Sequence, residues 1–179
     1  MNTYLVVDDP GDWPLGIPGV RVVAAHDYLT AAEFSAPGPV RIFNLCRSYR
    51  YQSSGYYVSL LALARGHKPL PDITTIRDMR LRAIVRIISE DLHDRIQSSL
   101  RPLRSNRFTL SIYFGRNMAK RYQPLCTQLF NQFQAPLMRA EFERSKKGWE
   151  LKSINTIAAH SIPGNHHEFV LQAIANYFR

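Results

Sequence analysis

Apolar and polar positions change period several times along the chain, and each change predicts an element. Thr3-Tyr-Leu-Val-Val-Asp8 is a β-branched run closed by Asp-Asp-Pro-Gly, which reads as a strand and a turn. Val20–Ala24 predicts a second strand, Tyr28–Glu33 a short helix, and Val40–Cys46 a third strand after Pro37-Gly-Pro39. From Ser53 to Arg65 the apolar residues Tyr57, Leu60, Leu61 and Ala64 recur at helical spacing, and Gly66 suits the position just past a helix end. His67–Pro71 carries two prolines and is extended. Thr75 and Asp78 have capping-box spacing and predict one long helix to Leu100, with Leu81, Ile84, Val85, Ile88, Leu92 and Ile96 on its apolar face.

Arg107–Phe114 alternates strictly and predicts a half-buried strand ended by Gly115. A helix follows near Met118–Phe133, broken or started late at Pro124. Pro136–Arg144 and Trp149–Ile157 form a hairpin around Lys146-Lys147-Gly148, and a last helix after Pro163-Gly164 buries Phe169, Val170, Ala173, Ile174 and Tyr177. This order of elements predicts a single α/β domain over residues 1–179, a mixed sheet with helices packed on its faces. The length of 179 residues suffices for one continuous core.

Charge changes the picture, because the net +9 is unevenly spread. Residues 1–40 hold five acids (Asp8, Asp9, Asp12, Asp27, Glu33) against Arg21 alone, while nine bases between Arg41 and Arg86 face only Asp72 and Asp78. Such an excess draws polyanions or acidic substrates. No apolar run approaches the ~20 residues of a membrane-spanning helix, so no membrane partner is expected. Met1–Asp12 does not resemble a signal peptide. Two cysteines, Cys46 and Cys126, make no disulfide framework, which points to a reducing, cytoplasmic setting.

The densest chemistry lies in Arg41–Tyr57, where an apolar strand gives way to a polar, aromatic junction and then a helix start. Ligands of open α/β sheets sit beyond strand carboxyl ends, where helix N-termini favour anions. Arg47 and Arg50 offer guanidinium donors there, and Asn44, Ser48, Gln52 and Ser53 neutral ones. Arg116, after the strand ending at Phe114, joins them if the two strands are neighbours. The plain alternative is that the arginines are solvated, the serines cap the helix and the tyrosines pack.

Nothing here is a nucleotide-binding loop, since neither GxGxxG nor GxxxxGK[ST] occurs. His160, His166 and His167 lack the spacing and companions of a metal site, Cys46 reads as a buried strand-end residue, and no catalytic residue is assigned. Arg77, Arg80, Arg82 and Arg86 read as the solvated face of the long helix, or as a surface for nucleic acid.

Phe43-Asn-Leu-Cys-Arg-Ser-Tyr-Arg-Tyr-Gln-Ser53, Gly55–Leu61, Ala64–His67, Leu70-Pro71 and Thr74–Ile76 together resemble the RimK-like ATP-grasp N-terminal domain family. Asp12-Trp-Pro14, Phe114-Gly-Arg116 and Ala135-Pro-Leu137 fit the same pattern. The resemblance implies an α+β fold and a context of peptide biosynthesis or ribosome modification. It also implies an accessory role beside an ATP-grasp region that joins an amino acid, often glutamate, to an acceptor. That region is not found in this chain. ATP and magnesium are then expected there, with no cofactor in this domain. The implied partners are that ligase region, an acidic peptide or amino-acid acceptor, and ribosomal protein or RNA. The basic face is expected to recruit or orient an acidic substrate or acceptor, or to dock on the ligase region; binding of RNA or the ribosome through that face is the alternative.

Overall fold

The computed structural model describes residues 1–179 and divides the strands between two sheets. Four strands run parallel in the order β2-β1-β3-β4: β1 (Thr3–Val7), β2 (Val20–Ala24), β3 (Arg41–Asn44) and β4 (Lys68–Leu70). β1 is central and covered on both faces. Leu5 and Val7 face one apolar cluster and Val6 the other, which is why its sequence is a continuous apolar run. The Val6 face is closed by α1 (Ala25–Thr30) and α2 (Ser54–Ala64) through Tyr28, Val58 and Ala62.

The second sheet is antiparallel, β5 (Arg107–Tyr113), β6 (Leu137–Ser145) and β7 (Gly148–Thr156). Its core face packs on α3 (Ile73–Arg80), α4 (Arg82–Asp91), α5 (His93–Leu100) and α6 (Gln123–Gln132). Pro124 stands in the first turn of α6, where its missing N–H costs nothing. The final helix, α7 (His167–Tyr177), buries Val170, Ala173 and Ile174 in a cluster that holds Leu5 and Phe43 of the parallel sheet together with Tyr113 and Leu137 of the antiparallel one and Ile157, just past β7. That shared cluster makes one α/β domain. The class predicted from the element order is the one observed, with parallel and antiparallel pairing segregated.

Two local readings are corrected. The helix expected from Thr75 to Leu100 is three helices, with Leu81 extended (φ −85°, ψ 112°) and Leu92 at φ −97°, ψ 14°. One straight helix over that span would be ~39 Å long, whereas β7, on which the segments pack, has nine residues and spans ~30 Å. Its start is also earlier: Asp72, not Thr75, is the cap, its carboxylate accepting from Thr75 N–H at 2.7 Å. Broken in this way, α4 and α5 reach the outer edge of β7. Leu151 N–H donates to Ser89 Oγ (3.0 Å), and Gln97 both accepts from Trp149 N–H (3.0 Å) and donates to Trp149 O (2.6 Å).

On α2 the buried stripe is Gly55, Val58, Ser59 and Ala62, and Tyr57 and Ala64 are exposed. The helix lies with its small residues against the β3 loop, so close approach, not bulk, decides the buried face.

Candidate anion-binding site

Beyond the end of β3 the chain folds into a loop that is locked from within. Asn44, fully buried, donates through Nδ2 to Gly55 O (2.7 Å) and to Ser59 Oγ (2.8 Å), and Cys46 N–H points to its Oδ1 at 3.3 Å. Tyr49 OH donates to Asn44 O (2.6 Å), and Ser59 Oγ donates to Pro71 O (2.6 Å), fastening α2 to the segment that follows β4. Ser53 caps α2: its Oγ accepts from Tyr56 N–H at 3.3 Å and donates to Ser48 O at 3.0 Å. Ser48 Oγ accepts from Arg50 N–H at 3.2 Å. Gly55 sits so near this loop that a Cβ would collide with the Ser48 carbonyl oxygen.

Of the seven residues singled out from the sequence, Asn44 and Ser53 therefore hold the loop's shape, and their polar atoms are engaged inside it. Gln52 is exposed in a left-handed turn (φ 69°) away from the cleft described next. Arg116 is not a neighbour of this edge by strand pairing, because β5 pairs with β6 in the other sheet. The condition that would have brought it beside Arg47 is not met. Its turn instead serves packing: Phe114 N–H donates to Pro136 O (2.7 Å), and Gly115 (φ 79°) lies against the ring of Phe130.

Arg47, Ser48 and Arg50 do come together, on one wall of a shallow cleft of about 160 Å³. Arg80, at the end of α3, and Asn155 and Thr156, at the end of β7, also line it, with Ile76, Met79 and Ile154 as its apolar part. Three arginines and no carboxylate line it. Arg47 is held in place by Asp12, to which it donates from Nε (2.8 Å) and Nη2 (2.6 Å), while its N–H donates to Asp8 Oδ2 (2.6 Å). The pair is asymmetric in exposure, with the Arg47 side chain 51% accessible and that of Asp12 only 10%. The Arg47 hydrogen bond and charge, with a further contribution from His160, hold the Asp12 carboxyl below its usual range. Arg50 and Arg80 are exposed and form no ion pair. Two unpaired guanidiniums and one oriented by a carboxylate carry donors of the kind that pair with carboxylates and phosphates.

Other candidate chemistry is accounted for by packing. Cys46 is buried, and burial, with Asp8 and Asp12 nearby, pushes its thiol far above the range of a thiolate nucleophile. His166 Nδ1 lies 2.8 Å from Tyr113 OH, and the buried His67 is bracketed by Tyr28 OH (2.8 Å) and Ala36 O (3.0 Å).

Arg80, Asn155 and Thr156 were not legible as site residues. Arg80 was absorbed into the expected helix face, and Thr156 lies over a hundred positions from Arg47. Only the packing of α3 and β7 brings them to the β3 loop.

An α/β domain with arginines gathered beyond the end of a parallel strand is the class that fold and cleft define. The RimK-like ATP-grasp N-terminal domain family matches residues 25–173, and the chain belongs to that family. The matched span holds the β3–α2 loop, Arg80 and the β7 end, and leaves β1 and Asp12 outside it. Among solved structures the chain is similar to the macrocyclase MdnB from Microcystis aeruginosa MRC, at 8% sequence identity and a TM-score of 0.47, with 98% of each chain covered. No curated protein matches it. No helix is long and apolar enough to cross a membrane.

Proposed function

We propose that this chain is a non-catalytic accessory module of a RimK-like, ATP-dependent amino-acid ligase, and that its arginine cleft recruits an acidic acceptor. The observation that carries the reading is the pair of unpaired guanidiniums, Arg50 and Arg80, facing a cleft without a single carboxylate. An acceptor bearing glutamate or aspartate side chains supplies the missing counter-charge. The cleft is shallow and open, which suits holding one end of a chain whose reacting group lies elsewhere. ATP and magnesium belong, in this reading, to the ligase region and not to this domain. Cys46, the one thiol near the site, is buried, and that burial pushes its pKa up.

Calorimetric titration tests it, with glutamate, triglutamate, ATP with magnesium, and a ribosomal RNA fragment, each at low and moderate salt. Triglutamate binds saturably, and an Arg50→Ala/Arg80→Ala variant binds it at least about tenfold more weakly, a loss of ~1.4 kcal/mol. Equal binding by the double variant overturns the reading. RNA binding that collapses steeply with salt, with no peptide binding, replaces it by an RNA- or ribosome-binding role.

A further inference from the structure

A second, larger groove of about 560 Å³ is lined by the next stretches of two elements that also line the arginine cleft, the α3–α4 segment and β7. Arg80 ends the cleft on α3, and Arg82 opens the groove on α4, separated only by the extended, 45% exposed Leu81. On β7, Ile154–Thr156 line the cleft and Glu150–Lys152 line the groove, separated only by Ser153. Both depressions therefore run along one strand, β7, from its end back toward the β6–β7 turn.

The groove is cationic but not uniformly so. Arg82, Arg86, Lys147 and Lys152 face Glu90 and Glu150. Lys152 donates to Glu150 at 2.9 Å and lowers its pKa most, and the charges of Lys147 and Arg86 add to the effect. Glu90 makes no ion pair. Donors are thus mixed with acceptors: Glu90 and the carboxylate of Glu150 here, Asn155 and Thr156 in the cleft. A polypeptide matches this mixture, since its side-chain carboxylates and carbonyls accept while its N–H groups donate. A phosphodiester backbone has acceptors only and offers no donor to Glu90. Neither depression presents an exposed phenyl, phenol or indole ring for the base stacking that single-stranded nucleic acid uses, and the His93 imidazole is the one exposed ring in the groove. Tyr49, the only Phe, Tyr or Trp lining either one, is buried with its OH on Asn44 O.

We infer that cleft and groove form one track for an extended acidic peptide of about six residues lying along β7. The length follows from the strand itself, since Glu150 to Thr156 spans ~20 Å and an extended chain advances ~3.3 Å per residue. Arg50 and Arg80 hold one end of the peptide, and Arg86 and Lys147 hold the other. This rests on the acidic-acceptor reading and extends it to a second contact region.

A length series of oligoglutamates, two to ten residues, tests it by calorimetry on the intact chain. Affinity rises with length to about six residues and then levels off. An Arg86→Ala/Lys147→Ala variant, both positions being exposed, keeps its thermal midpoint and its affinity for diglutamate, but binds hexaglutamate no better than the short peptide. Affinity that stops rising at three residues, or hexaglutamate binding untouched by that variant, overturns the track while the cleft keeps its role. No binding at any length removes the acceptor reading itself. An RNA oligonucleotide that binds more tightly than hexaglutamate and is lost in the Arg86→Ala/Lys147→Ala variant assigns the groove to phosphates and overturns the peptide track.

Discussion

At the scale of single residues, the β3–α2 junction separates architecture from chemistry. Asn44, Tyr49, Ser53 and Ser59 spend their hydrogen bonds on one another and on nearby backbone, and Arg50 spends none of its guanidinium donors. Ser53→Ala removes a helix cap and costs about 1 kcal/mol, whereas Ser54→Ala, at an exposed position beside it, changes stability by less than ~0.5 kcal/mol in urea unfolding. Gly55→Ala costs about 1–3 kcal/mol by the same assay, because the added methyl meets the rigid backbone of Ser48. The Asp12 carboxyl, depressed in the folded chain by Arg47, stabilises the fold fully above the ordinary carboxylate range and loses that contribution as pH falls through its lowered value. Asp12→Asn is therefore less stable than the parent at neutral pH, and the two converge in acid, as thermal melts from pH 7 to 2 will report. From the sequence, the density of polar residues at Asn44–Ser53 was visible, but not which of them point inward. Loop closure decided that, and no periodicity encodes it.

At the scale of elements, β7 and the helices along it organise the surface that matters. The stretch from Thr75 to Leu100 looked continuous because its apolar face keeps a helical period across Leu81 and Leu92. Neither position carries a proline or glycine to announce a break. Tertiary fit overrides propensity there, bending the segment so that α4 and α5 pack against a strand shorter than one straight helix. One consequence is the Gln97 clamp, which replaces a neighbouring strand for Trp149. Gln97→Ala leaves that N–H and C=O without protein partners and costs about 1–3 kcal/mol, measured by chemical unfolding. The strands themselves were legible: alternation at Arg107–Tyr113, the hairpin around Lys146-Lys147, and the apolar run of β1 all survive in the fold.

At the scale of the whole molecule, charge and topology explain each other. The nine bases between Arg41 and Arg86 were evident from the sequence, yet their grouping depends on a partner sheet read from residues beyond 107. The cluster of Phe43, Tyr113, Leu137 and Ile157 ties that sheet to the parallel one. By the same tie, the end of β7 comes to face the β3 loop. From the acidic N-terminal segment, Asp8 and Asp12 bind Arg47 and fix the loop, and Arg50 and Arg80 are left without a carboxylate partner.

Whether those two arginines meet an acidic peptide decides the role of the cleft. Titration of triglutamate followed by the NMR signals of the arginine Nε–H groups reads this residue by residue. The Arg50 and Arg80 signals move together and saturably, while that of Arg21, already paired with Glu33, stays in place. Signals that stay still, or arginines all over the surface shifting alike in proportion to ionic strength, contradict the arginine cleft as a binding site.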